Sequence, residues 1–525
     1  MEHVQHKPYP GPTPNYGSYG GYIPEQPAPP PAYDQKSPYE GERFKPNRTI
    51  NDPLFLIFFV LQLLGYAALS GIVLNPWSSA NGLGGGIGKS GGQSGTAVTV
   101  NRSTVYLLLL VTAAALLLST LYLMLTRAFT RMIMHITLVL TIMLNIGICV
   151  YYWITKYWSG AIIFTVFALL AIFSYFSFRS RIPLASLLLQ VVMDVSKHHK
   201  SVYFVAFVAL LMQAALAVWY VFTTIATYNQ YTPGNPNCAK NSCSSGKVAG
   251  LIFYETFSFL WTSQVVKNVA IATLAGGPFG AWYYFGPHEM GEMPMHPTTS
   301  AFGRASTLSL GSIAFGSLIV TLLELIKMLL NMIRNNANAD GHPVEACLAC
   351  CAACFIGCIE SLVEWFNRYA YIEIALYGKP YIAAAKDTWR LFKDRGIDAL
   401  VNDSLVGMTL TWGAYAVGII CSLFAYLYLR FTSPSYNVDG SYTAPVLLFA
   451  FLIGTLCCMC TVSTEYPLVK SSTLALTLSS AIEAGVSTIF VGLGEDPQVL
   501  AIRAPELFGL IVERYPRVTA GVPQV

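Results

Sequence analysis

About ten runs of 18 to 25 predominantly apolar residues recur along this chain, each the length that a hydrocarbon layer roughly 30 Å thick demands of a helix. They cover approximately residues 54–74, 105–125, 133–154, 160–178, 203–225, 249–275, 308–330, 344–366, 404–428 and 445–464. Only 11% of the residues are charged while 54% are hydrophobic, far from soluble-domain usage. The pattern predicts an all-α, polytopic membrane protein with about ten transmembrane helices. A further apolar stretch, 472–494, has Glu483 at its centre and Gly494-Glu495-Asp496 at its end, and reads as an interfacial helix rather than a span.

Residues 1–50 contain no apolar core, so the first span is expected to act as its own insertion signal. With the N-terminus inside, the inner segments carry most of the 31 lysines and arginines, which predicts cytoplasmic termini at both ends. Lys327 and Arg334 fit this less well, because they flank a connection that the same parity places outside. The net charge of +4 is scattered and no basic patch is interleaved with aromatics, so nucleic acid is not an expected partner.

Three regions follow. Residues 1–50 are rich in Pro, Tyr and Gly and nearly devoid of aliphatics, which predicts a disordered cytoplasmic tail. Residues 51–465 form the ten-helix transmembrane domain, and 466–525 a cytoplasmic C-terminal segment with its interfacial helix. In the tail, Pro30, Pro31 and Tyr33 match the PPxY ligand of WW domains, with Lys36 and Lys45 within reach of a docked ubiquitin ligase. A tail of this composition also produces such a match by chance. The loop "SSANGLGGGIGKSGGQSG" lacks the strand and βαβ unit that a nucleotide site needs. Asn101 heads a glycosylation sequon on the outer side, although its closeness to the second span disfavours use. Asn47 and Asn402 head sequons on the inner side, where they are expected to stay unmodified.

Among twelve cysteines, Cys238 and Cys243 share a polar outer loop and are expected to form a disulfide. Cys347, Cys350, Cys351, Cys354 and Cys358 fall on one helical stripe among alanines and a glycine. That stripe reads as a small-residue packing face rather than a zinc site, so no metal and no cofactor is expected.

Ionisable side chains inside spans are costly and are the first functional candidates. Glu324 and Lys327, three apart, suggest a local ion pair. Glu360 and Glu364, with Arg368 four residues on, suggest a ladder along one helix with a structural or gating role. Glu255 has no cation three or four residues away and shares its face with Phe259 and Thr262. Trp219, Tyr220, Trp412 and Tyr415 supply aromatic faces at membrane depth, and an acid with aromatic faces suits a small organic cation. The competing reading places these aromatics in interfacial belts. No HExxH, Walker-type GxxxxGK[ST] or GxSxG elbow appears, so the chain is not expected to be an enzyme or to use ATP.

The stretch "CIESLVEWFNRYAYIEIALYGKPYIAAAKDTWRLF" resembles the hallmark of the choline transporter-like family. "FRSRIPLASLLLQVVMDVSK", "GGPFGAWYYF", "SAFGRASTLSLGSIAFGSLI" and "STIFVGLGEDP" resemble other family segments in family order. The Pro/Tyr/Gly-rich tail and the short first outer loop are similar to the fungal branch. The resemblance implies ten spans, cytoplasmic termini, a plasma-membrane location and movement of choline or another small solute. Channel, lipid-handling and WW-ligase-recruiting scaffold roles are the alternatives. Within the hallmark, Tyr369, Tyr371 and Tyr377 read as headgroup-level anchors, and Lys379, Lys386, Arg390 and Lys393 as facing anionic lipid. The break at Gly378-Lys379-Pro380 reads as an inner gate or hinge for alternating access, or as a simple anchor for the ninth span.

Overall fold

The computed structural model describes residues 49–81, 102–156, 158–233, 243–286, 295–432, 443–459 and 478–514. Among them the chain is all-α, with no strand. Ten long helices fall on the ten apolar runs: α1 (Pro53–Asn81), α2 (Arg102–Ala128), α3 (Thr130–Ile154), α4 (Trp158–Arg179), α6 (Ser201–Tyr231), α7 (Ser245–Leu274), α10 (Leu310–Ala339), α11 (Pro343–Tyr377), α12 (Tyr381–Thr432) and α13 (Thr443–Met459). Shorter helices lie between and after them: α5 (Ile182–His198), α8 (Gly280–Phe285), α9 (Pro297–Ser306), α14 (Leu478–Glu495), α15 (Pro497–Arg503) and α16 (Pro505–Arg514). Among the described residues, six segments are long and apolar enough to cross a membrane by length and composition, in α1, α3, α6, α10, α11 and α12. The protein is a multi-pass membrane protein.

The outer helices carry the lipid-facing surface. Phe173 and Phe176 on α4 are 77% and 71% exposed, a state that a hydrocarbon surround makes favourable for such side chains. α7 is the opposite case, with more than half its length enclosed by α1, α6, α10 and α11. A helix surrounded by protein can bear polar groups that a lipid-facing helix cannot. Tertiary position therefore explains how α7 can bury Glu255, Gln264 and Asn268 along its length.

α7 does not end cleanly. The helix runs through a π-helical turn, Ala275–Phe279, in which Gly277 departs from helical geometry (φ −104°, ψ −109°) before Pro278. Such a break strands backbone carbonyls. Arg304 on α9 answers one of them, donating from Nη2 to the Gly276 carbonyl at 3.0 Å and from Nη1 to Ser300 Oγ at 2.8 Å. Burial holds its guanidinium below the ordinary arginine value. Arg304→Met is expected to lower stability by about 1–3 kcal/mol, read as a drop in melting temperature of the purified protein. Arg304→Lys, which keeps a donor, is expected to recover part of the loss.

The packing corrects two expectations. α14 does not lie on a surface: Ile482, Val486, Ile489, Phe490, Val491 and Leu493 are all buried, and the helix packs among α5, α11 and α12. Its Glu483 is compatible with burial because it meets Arg368 at 3.5 Å. The cysteine stripe does not pack either. Cys347, Cys351, Cys354 and Cys358 are exposed, whereas Ala346, Ala349 and Ala353 are buried. The smaller methyl lets α10 approach α11 closely, and the larger thiols point away. Lys327 of α10 also reaches across to bond Glu360 on α11. No cluster with metal-ligand geometry occurs among the described residues.

Candidate functional site

α1, α6 and α7 meet along a polar seam inside an otherwise apolar bundle. On α7, Glu255 is fully buried, and its carboxylate accepts from Thr224 Oγ1 at 3.1 Å and Thr227 Oγ1 at 2.5 Å, both on α6. Among the described residues no cationic side chain bonds to it. Around it the aromatic faces are arranged in pairs. Tyr220 stacks on Phe259 at 4.4 Å with an interplanar angle of 9°, and Tyr66 leans on Trp219 at 4.7 Å. Trp219 Nε1 donates to Ser70 Oγ at 2.6 Å, and Tyr220 OH shares a 3.0 Å bond with Thr256. Gln62 Nε2 donates to Thr262 Oγ1 at 3.2 Å, while Gln62 Oε1 and Ser258 Oγ are buried without a hydrogen-bond partner.

Five of the residues singled out from sequence, Glu255, Phe259, Thr262, Trp219 and Tyr220, therefore stand on one seam. Trp412 and Tyr415 do not join them. Trp412 donates to Thr141 on α3 at 2.8 Å, and Tyr415 packs against the α2–α12–α13 cluster. The sequence reading missed Gln62, Tyr66 and Ser70, although their spacing of four along α1 was a usable signal: it puts all three on one stripe of an apolar helix.

Below the seam the polar track continues along α7. Gln213 and Ser263 exchange two bonds, Asn268 donates to Ser317 Oγ at 2.9 Å, Asn367 donates to the Gly316 carbonyl, and Tyr381 OH donates to Asn367 Oδ1 at 2.6 Å. The track ends at the α11–α12 break.

α11 is the common partner of the buried charges. Glu360 bonds Lys327 of α10, Glu364 bonds Lys267 of α7, and Arg368 meets Glu483 of α14. Each residue of the ladder expected along α11 thus also makes a cross-helix tie.

The break itself is closed by glycine chemistry and by a hub. Gly378 adopts φ +66° and returns its N–H to the Ile374 carbonyl at 2.9 Å, ending α11 in the left-handed form that glycine tolerates best. Tyr284 and Tyr377 donate to Asp496 Oδ2 at 2.9 and 3.2 Å, and Tyr283 donates to the Asp496 carbonyl at 3.0 Å. Lys379 bonds Asp387 at 2.7 Å and Glu373 at 3.3 Å and lies 4.4 Å over the Tyr377 ring. Burial would depress the Lys379 ammonium, but Glu373 and Asp387 outweigh it and hold it above its ordinary value. Burial pushes Glu495, beside this group, upward.

The headgroup expectation for the tyrosines is therefore corrected. Tyr369 and Tyr371 are buried in protein, and Tyr377 faces the Asp496 hub. Lys379 is drawn inward by its carboxylates, whereas Lys386, Arg390 and Lys393 are exposed. Pro30, Pro31, Tyr33, Asn101 and Cys238 lie outside the described residues; Cys243 is disulfide-bonded.

Comparison with known proteins bears on the same elements. The sequence model of the family described as "plasma-membrane choline transporter" matches residues 162–498, from α4 through the hub at Asp496. Protein PNS1 of Cryptococcus neoformans var. neoformans is 55% identical over 501 residues, covering 94% of this chain and 88% of that relative. Protein PNS1 of Mycosarcoma maydis is 40% identical over 514 residues, with 96% and 92% covered. Protein PNS1 of Candida albicans is 36% identical over 502 residues, with 95% and 91% covered. A match of this extent across helices, break and hub means that the chain belongs to the choline transporter-like family.

Proposed function

We propose that the protein carries a small organic cation of the choline class across the plasma membrane by alternating access, and that the Glu255 seam is where the cation sits. The observation that carries this reading is the buried Glu255 carboxylate, bonded by two threonine hydroxyls and by no cation among the described residues. An enclosed carboxylate of this kind is costly, and a cationic substrate would supply the missing charge. Tyr66 and Trp219 offer ring faces to a quaternary ammonium, which cannot donate hydrogen bonds. Gln62 Oε1 and Ser258 Oγ stand ready for a hydroxyl group.

Access from the two sides would alternate by rocking of α11 and the helices tied to it, with the α11–α12 break as the inner hinge. No ATP is needed for entry, because an inside-negative potential favours one positive charge by about 2.3 kcal/mol per 100 mV. The test is competition against labelled choline by its uncharged isostere, 3,3-dimethyl-1-butanol. The isostere is expected to compete at least about tenfold more weakly than choline itself, since it keeps the shape and hydroxyl but forfeits the charge. Equal competition by the neutral compound would remove Glu255 from substrate recognition.

A further inference from the structure

The first turn of α12 has an unusual problem. The three residues before it, Gly378, Lys379 and Pro380, carry no side-chain acceptor, so none of them can cap its leading N–H groups. The cap comes from the other end of the chain. Asp52 Oδ2 accepts the backbone N–H of Tyr381 at 2.9 Å and, on the same oxygen, the Ser312 hydroxyl of α10 at 2.6 Å. Beside it, Asn51 donates from Nδ2 to the Gly378 carbonyl at 2.9 Å and from its backbone to the Leu308 carbonyl at 2.9 Å.

Two residues therefore tie together the start of α1, the start of α10 and both sides of the α11–α12 break. The fit is close. Asp52 adopts φ +51°, a conformation that costs a non-glycine residue, and a Cβ on Gly311 would collide with the carbonyl oxygens of Asn51 and Asp52. A carboxylate at a helix N-terminus is also favoured by the helix dipole. On its other side Asp52 opens α1: its carbonyl accepts from Phe55 and Leu56 at 3.2 and 3.4 Å. α1 then runs rigidly to Gln62 and Tyr66 in the seam, about 15 and 21 Å further on at 1.5 Å per residue.

The geometry points to Asp52 as a positioning residue, a detachable cap through which α1 transmits the state of the α11–α12 break to the Glu255 seam. When the break is closed, α1 is held down at Asp52. If α12 swings away from α10, the cap is released and α1 is free to move at the seam. This deepens the proposed transport mechanism and rests on it, except that the coupling of α1 to α12 is measurable without any substrate.

The test compares wild type with Asp52→Ala, Asp52→Asn and Ser312→Ala, each as the full chain in lipid nanodiscs. Hydrogen exchange is expected to quicken by about fivefold in Asp52→Ala at the first turn of α12, together with the first turn of α1. Asp52→Asn, which keeps an acceptor oxygen, is expected to fall between, and Ser312→Ala to produce the same pattern more weakly. In uptake assays Asp52→Ala is expected to lower turnover about tenfold while KM stays within about twofold, because every side chain of the seam is kept and only the coupling of α1 to the break is lost. Partial rescue by Asp52→Asn would follow. Exchange that quickens at α12 alone, or that does not change, overturns the inference, as does quickened exchange with wild-type turnover. If wild type moves no tested cation, the proposed function fails, and the paired exchange response at α1 and α12 still decides whether Asp52 couples them.

Discussion

Glu255→Gln is expected to lose at least about tenfold in kcat/KM for a choline-class cation while its surface expression and melting temperature hold or improve. The two halves of this expectation have one cause. Glutamine keeps the shape, accepts from one of Thr224 and Thr227 through its Oε1 and donates from its amide to the hydroxyl oxygen of the other, so the seam should stay assembled. What it removes is the charge, and with it the attraction to a cation in a low-dielectric site, for which tenfold is about 1.4 kcal/mol. It equally removes the cost of keeping a carboxylate enclosed without a cationic partner, so the empty protein gains rather than loses stability. A structural acid would behave oppositely, losing stability first and uptake only as a consequence. Uptake and thermal stability measured on the same preparations separate the two.

The largest effect on stability is expected at the Lys327–Glu360 tie between α10 and α11. Both side chains are largely buried, at 12% and 7% exposure, so Lys327→Met takes the ammonium away from a carboxylate that water cannot reach. Removing one partner of a buried pair costs about 3–5 kcal/mol, whereas replacing both by apolar groups of similar size is often neutral. Lys327→Met should therefore lower the melting temperature by many degrees, and Lys327→Met with Glu360→Met should recover most of the loss. The comparison is made at one scan rate, since large membrane proteins unfold irreversibly. Additive losses in the double variant would mean that the two side chains act independently and that the tie contributes nothing of its own.

The spans were legible because crossing a bilayer imposes a length and an apolar composition that few other structures require. Which helices would be enclosed by others was not legible. α14 looked interfacial because Glu483 interrupts it, and only its meeting with Arg368 explains how that charge is accommodated inside. Tyr369 and Tyr371 illustrate the same limit, since a tyrosine serves a headgroup belt or a satisfied core equally well and sequence shows neither partner. The charges along α11 were assigned to neighbours three and four residues away because those are the only contacts a sequence displays. Cross-helix partners lie 33 residues away for Lys327–Glu360 and 97 for Lys267–Glu364, where no sequence spacing displays them. The Asp52 cap spans 329 residues and could not have been read at all. Glu255 stood out in the sequence for the lack of a cation within one turn, and its structural partners are two threonines of α6, whereas Trp412 and Tyr415 were grouped with it only by residue type.

The most direct test of the central claim is uptake of radiolabelled choline into proteoliposomes of wild type and Glu255→Gln, side by side, with and without an imposed inside-negative potential. Saturable uptake by wild type that rises with the potential, and that falls at least about tenfold in Glu255→Gln, is the predicted result. Wild-type uptake that Glu255→Gln reproduces in full would contradict the account, because the buried carboxylate would then have no part in holding the cation.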